Sequence, residues 1–276
     1  MIGFIGSVFS PWYRWAGRKR PLDHCCINVA TYGPGGRWTM TERGAGAVRQ
    51  TPDVFQVGPS QMAWEGDALV IDINEFSVPH VQRIRGRVRL SPEAVTAIEV
   101  ALDPGGAHVW RPFAPNARIS VDIARPGWRW EGHGYFDANF GTRALEADFS
   151  YWTWARMPMK DGAAAFYDAT RRDGSTLDVA LKFARDGSVS VMDPPPRARL
   201  ARSQWLVRRE TRADAGTQPY QVQAMLDAPF YTRSVVKSRI HGETVVGVHE
   251  ALDLRRFASP LLKPMLAVKV PRRARF

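Results

Sequence analysis

The chain has 276 residues, 45% of them hydrophobic: room for one large all-β domain or two of ordinary size, and too apolar for wholesale disorder. Its formal charge of +11 rests mainly on arginine, only six of the 38 basic residues being lysine, and favours anionic partners such as phospholipid headgroups or nucleic acid. Two adjacent cysteines, Cys25 and Cys26, exclude a disulfide framework and a four-ligand zinc site, and read as reduced thiols in a strand of a cytoplasmic protein.

Residues 1–16 are apolar and aromatic, but no positive charge precedes their short apolar core, as a signal peptide would require. Trp12, Tyr13 and Trp15 run instead into Arg18, Lys19 and Arg20, an order suited to a headgroup interface. Short strands bounded by turn residues follow at 26–32, 68–73 and 83–90. Gly33-Pro34-Gly35-Gly36 and Asp103-Pro104-Gly105-Gly106 are turns. Between them, 91–102 predicts a helix, with Ser91 as N-cap, Pro92 in the first turn and Glu93 next.

Beyond residue 142 a second half begins, with strands at 149–157 and 163–167. Asp173-Gly174 and Asp186-Gly187 flank 175–183 in a hairpin-like layout, and Pro194-Pro195-Pro196 is a rigid interruption too short to link domains. The apolar segment 261–270 precedes Arg272, Arg273 and Arg275, repeating the flavour of the N-terminus. Two such ends suggest a peripheral membrane protein; ordinary termini packed on the body account for the same residues. No run approaches the roughly 20 apolar residues of a membrane span. The predominance of β segments points to barrels.

The run 128–141, WRWEGHGYFDANFG, carries the chemistry. With a period of two, Trp128, Trp130, Phe136 and Phe140 share one face, and His133, Tyr135, Asp137 and Asn139 the other. Trp110, Trp152 and Trp154 lie nearby, putting half of the ten tryptophans in one region. An antiparallel strand that buries its apolar face would leave Asp137 in solvent. Gly132 and Gly134, however, strip side chains from the strand, as where a ligand or another backbone comes close. A carboxyl group desolvated among aromatics is a strong general acid. No phosphate loop, dinucleotide fingerprint or Gly-x-Ser-x-Gly elbow is present, and no two histidines are spaced as metal ligands on a helix face. Catalysis here would need only side chains and water, without metal or cofactor.

Gly132, Gly134, Tyr135, Asp137, Asn139 and Gly141 form a Gly-x-Gly-Tyr-x-Asp-x-Asn-x-Gly pattern that resembles the signature of the acyclic carotenoid 1,2-hydratases (hydroxyneurosporene synthases) of phototrophic bacteria. The resemblance extends to 6–13 (GSVFSPWY), 102–112 (LDPGGAHVWRP) and 152–156 (WTWAR), and so covers nearly the whole chain. Phe136 and Phe140 stand where related proteins often carry His and Trp, which leaves those two positions without a role. The resemblance implies an all-β, lipocalin-like architecture of two β-barrel domains, drawn here as 1–141 and 142–276, with no organic cofactor. It also implies an enzyme, a hydro-lyase that adds water to the terminal 1,2 double bond of neurosporene or lycopene on the way to spheroidene or spirilloxanthin.

On that reading Asp137 protonates C2, Trp110 and Tyr135 face the tertiary cation at C1, and His133 or the regenerated Asp137 carboxylate removes the proton of the attacking water. Trp128, Asn139, Trp152, Trp154 and His108 would bind substrate. His108 and His133 also read as satisfied structural histidines. A bilayer-soluble polyene gives the basic, aromatic termini a reason to dock at the cytoplasmic face of an intracytoplasmic membrane. Three other readings use the same residues: a non-catalytic carotenoid or lipid carrier, an enzyme hydrating or cyclising another prenyl chain, and a nucleic-acid-binding barrel. The last is disfavoured by Glu131 and Asp137 beside any phosphate track.

Overall fold

The computed structural model describes residues 1–273, so Arg275 lies outside the described residues. The fold is predominantly β, as the turn-punctuated strand pattern requires. Compactness divides the chain differently from a cut between 141 and 142. One unit takes residues 1–92, 117–134 and the segment from 260 on; the other takes 93–116 and 135–259. The long strands His108–Arg125 and Trp128–Gly141 therefore each contribute residues to both units.

The first unit is built on an antiparallel meander, Val48–Gln50, Val54–Val57, Ser60–Glu65, Ala68–Phe76 and Arg83–Pro92, each strand pairing with the next. Residues 117–125 then pair with Arg83–Pro92. Alternation sets the inward face: Ile84, Val88 and Leu90 are buried while Arg83, Arg85, Arg87 and Arg89 are exposed. Gly134 serves this core, since a Cβ there would lie 3.2 Å from Leu90 Cδ1 and 3.3 Å from Ile119 Cβ. The strand glycine thus makes room for side chains. A second sheet pairs Ile2–Ile5 with Cys25–Ala30. Around it the helix Pro11–Trp15, capped by the Ser10 hydroxyl, is tied down by the Trp12 indole N–H, which donates to the Val270 carbonyl at 2.7 Å. Glu42 is wholly buried but accepts from Ser10, His24 and Arg272, as a buried carboxylate must.

In the second unit seven antiparallel strands run in the order Val189–Val191, Thr176–Ala184, Gly162–Arg171, Phe149–Met159, Glu243–Asp253, Tyr231–Ile240, Tyr220–Asp227. Among the described residues no pairing joins the two ends of this path. The Asp173-Gly174 and Asp186-Gly187 turns fall where the sequence puts them: the Gly174 N–H donates to the Arg171 carbonyl and the Gly187 N–H to the Ala184 carbonyl. The two sheet faces differ. One carries the apolar cluster of Ala155, Met157, Phe166, Val236 and Ile240. The other holds Trp152, Trp154 and Arg156, with Tyr167 and Glu250 directly opposite Trp154 on its two neighbouring strands.

The helix expected over 91–102 is absent. Ser91 and Pro92 belong to the strand, opposite Arg118 and Ala117. In the second unit the chain from Glu93 is held extended: the Glu93 N–H donates to the Asn116 carbonyl at 2.9 Å, the Thr96 N–H to Phe113 at 2.8 Å, and the Thr96 hydroxyl to Pro112. Thr96 is buried and Ala94, Ile98 and Val100 are half-buried, while Glu93, Val95, Ala97 and Glu99 are exposed. That period of two was written in the sequence, and the β-branched residues favour it over a helix.

Candidate active site

The site is assembled in the second unit from four strands. Trp110 comes from the start of His108–Arg125, Tyr135 and Asp137 from the end of Trp128–Gly141, Trp152 and Trp154 from Phe149–Met159, and Tyr167 from Gly162–Arg171. Trp110 is fully buried, and its indole N–H donates to Asp137 Oδ2 at 2.9 Å and approaches the Tyr135 hydroxyl at 3.3 Å. The Tyr135 hydroxyl lies beside the Asp137 carboxyl and favours its ionised form. Rings close around this trio: Trp154 lies 5.1 Å from Tyr135, Tyr167 5.7 Å from Trp110 and 5.6 Å from Trp152, and Phe183 meets Trp110 edge-on at 6.5 Å.

Such surroundings desolvate the Asp137 carboxyl and push it up to about 6, although the Trp110 N–H and the Tyr135 hydroxyl pull the other way. Glu250 adds negative charge that raises it further, and Arg233 positive charge that lowers it. Burial likewise drives the Tyr135 and Tyr167 hydroxyls far up, so both stay neutral donors. Arg156 sits 5.8 Å from the Tyr135 ring, donates to the Pro115 carbonyl at 2.9 Å, and is brought down to about 10 by desolvation. What results is a carboxylic acid neutral in mildly acidic water, bordered by π faces. It can protonate a weakly basic substrate carbon and shelter the cation formed.

The structure thus brings together Asp137, Trp110, Tyr135, Trp152 and Trp154. His108 shares a strand face with Trp110 but is buried and already partnered: its Nε2 pairs with Asp148 Oδ2 at 2.8 Å and its ring meets Phe149 at 5.1 Å. Asn139 is exposed. Trp128 and His133 fall in the first unit, Trp128 near Gly35 and His133 in solvent. On the face that looked like core, Trp130 and Phe140 are 51% exposed, Phe136 stacks on Phe113 at 5.3 Å, and only Gly134 packs into the core. Tyr167, Arg156, Arg233 and Glu250 were not anticipated. Glu250 had a signal: a carboxylate within the apolar run 245–252, VVGVHEAL. Among the described residues no cluster of His, Cys, Asp and Glu could hold a metal ion.

A family model described as carotenoid hydratase CrtC matches residues 1–276. The chain is 64% identical over 274 residues to the acyclic carotenoid 1,2-hydratase of Cereibacter sphaeroides, spanning 99% of this chain and 98% of that protein. It is 58% identical over 276 residues to the enzyme of the same name from Rhodobacter capsulatus, with 99% and 98% covered. Among solved structures, a Nitrosomonas europaea protein described as an AttH superposes with a TM-score of 0.60 at 15% identity, over 83% of this chain and 81% of that one. That likeness is one of fold and agrees with the all-β reading; the two closed barrels expected in tandem are not found among the described residues, since neither large sheet pairs its end strands.

Proposed function

The chain belongs to the carotenoid hydratase family, and from that premise we propose that it adds water to the terminal 1,2 double bond of an acyclic carotene such as neurosporene or lycopene, with Asp137 as the acid. The observation that carries the assignment is the Asp137 carboxyl, which accepts from the Trp110 indole N–H at 2.9 Å and which burial pushes up to about 6.

A trisubstituted alkene is a poor base, so its protonation calls for a neutral acid, fixed in position and kept from bulk water. Asp137 gives its proton to C2, the π electrons of C1=C2 form the new C2–H bond, and a tertiary cation is left at C1. Trp110 donates its N–H to the Asp137 carboxyl, the Tyr135 hydroxyl beside it also favours the ionised form, and the Tyr135 ring is flanked by Trp154 and Arg156. Their part is to orient the acid and stabilise its conjugate base; the neighbouring indole faces contribute about 0.5–2 kcal/mol each towards the cation. Water then bonds to C1 and loses a proton.

Docking to membrane is part of the same proposal, since the substrate dissolves in lipid. In the first unit Trp15, Leu261 and Val268 are 56%, 85% and 63% exposed. Arg14, Arg18, Lys19, Arg20 and Lys269 lie along the same two segments. No helix among the described residues is long and apolar enough to cross a membrane.

The test is incubation of the full chain with lycopene or neurosporene in mild detergent and oxygen-18 water, beside Asp137→Asn. A labelled 1-hydroxy product is expected, with turnover lower by about 10³-fold or more in the variant. Carotene binding without product would favour the carrier. Undiminished turnover by the variant would remove Asp137 from the proton transfer.

A further inference from the structure

The site has a second carboxylate. Glu250 lies directly opposite Trp154 on one side and Arg233 on the other, so the three side chains share one sheet face, with Trp152 two residues along on the same strand. Its side chain is 16% exposed and ion-paired to Arg233 at 3.1 Å. Its charge reaches both Asp137 and Tyr167. Beside it, the indole N–H groups of Trp152 and Trp154 are buried and make no hydrogen bond within the chain, Trp154 as a whole being 7% exposed. Buried donors of this kind are rare without a purpose.

We propose that Glu250, together with the Trp152 and Trp154 indole N–H groups, is the water side of the site: the indoles hold the attacking water and Glu250 takes its proton. The inference rests on the hydration reading above. A water in aromatic surroundings needs two to four polar partners, and two donors with one anionic acceptor supply them. Two carboxylates flanking a reacting bond, one neutral and one ion-paired, divide acid and base work as in glycoside hydrolysis. The balance closes. Asp137 O–H breaks as C2–H forms; the water then gives up one of its two indole hydrogen bonds, and the lone pair so freed makes the C1–O bond while its O–H electrons stay on oxygen and the proton passes to Glu250. Solvent returns the site to a neutral Asp137 and an ionised Glu250.

The experiment separates protonation from water capture. In deuterium oxide, the cation formed by Asp137 carries deuterium at C2 and, when no water captures it, collapses by loss of the original C2 hydrogen after turning about C2–C3, or of a C1-methyl hydrogen, so that recovered carotene or its double-bond isomer keeps deuterium at C2. Glu250→Gln is expected to lose hydration by about 10²–10³-fold at nearly unchanged KM while retaining this exchange. Glu250→Asp should recover part of the hydration. Hydration by Glu250→Gln at the wild-type rate would overturn the proposal, and so would joint loss of exchange and hydration in a folded variant, which marks a structural role. If circular dichroism shows that Glu250→Gln does not fold, Glu250→Asp carries the test, with hydration about tenfold slower and exchange kept; full-rate hydration there overturns it. Asp137→Asn must lose both signals. Should it keep them, the acid reading fails, independently of Glu250.

Discussion

Trp110 does two opposed things to Asp137. Its ring helps to desolvate the carboxyl, which raises the pKa, and its N–H stabilises the ionised form, which lowers it. Trp110→Phe keeps much of the first and deletes the second, so the Asp137 pKa should move above its present value of about 6. Because the reaction uses the protonated acid, wild-type activity should fall about tenfold for each pH unit beyond that pKa. In Trp110→Phe this alkaline limb should shift to higher pH. A pH–rate profile of both proteins checks the sign, and an unmoved or lowered limb would refute the account. That Tyr135 and Asp137 share a face was legible in sequence because a strand's alternation is local, whereas Trp110, from another strand, entered only through the family resemblance. Glu250 and Arg233 were not, because their place beside Trp154 depends on the register of three strands contributed by distant parts of the chain.

Strands set this register through close backbone contact, and Gly247 marks one tight point beside Trp154's strand. A Cβ on it would fall 2.2 Å from the Arg156 carbonyl oxygen and 2.9 Å from Met157 Cα. Backbone atoms cannot step aside as a flexible side chain would, so Gly247→Ala should destabilise the fold by about 3 kcal/mol, read as a lower urea midpoint. A variant as stable as the parent would show that the two strands separate easily. The existence of strands, and the turns at 173–174 and 186–187, followed from Gly, Pro and Asp punctuation. The sense of a face did not. Alternation along Trp128–Gly141 says which residues share a side, but not where along each side the rest of the chain covers it: Gly134 packs inward on one side, and Tyr135 and Asp137 are enclosed on the other while His133 and Asn139 beyond them are exposed. Between 93 and 100, helix-start residues outweighed the period of two, and the structure follows the period.

For the molecule as a whole, a formal charge of +11 acts over the surface, and the exposed Trp15 gives it an apolar foothold. The full chain should co-sediment with vesicles containing phosphatidylglycerol at low salt and be released at high salt, as screening predicts. Trp15→Ser should weaken that binding by about tenfold, equivalent to 1.4 kcal/mol. Equal binding to uncharged phosphatidylcholine vesicles, or no effect of the substitution, would remove the docking surface from these residues. That the compact units are not successive stretches of chain could not be read from composition or linkers, because two long strands contribute to both and leave no linker to find.

Cys25 and Cys26, side by side in the first unit, are wholly enclosed, and burial pushes Cys25 up to about 11 and Cys26 further still. Oxidants and alkylating agents attack the thiolate, of which almost none exists at neutral pH, and neither sulfur is within their reach. These two atoms therefore stay chemically silent for as long as the first unit is closed, and start to age only when it opens. The chain carries its own clock for that event, set in sulfur and independent of the acid in the other unit.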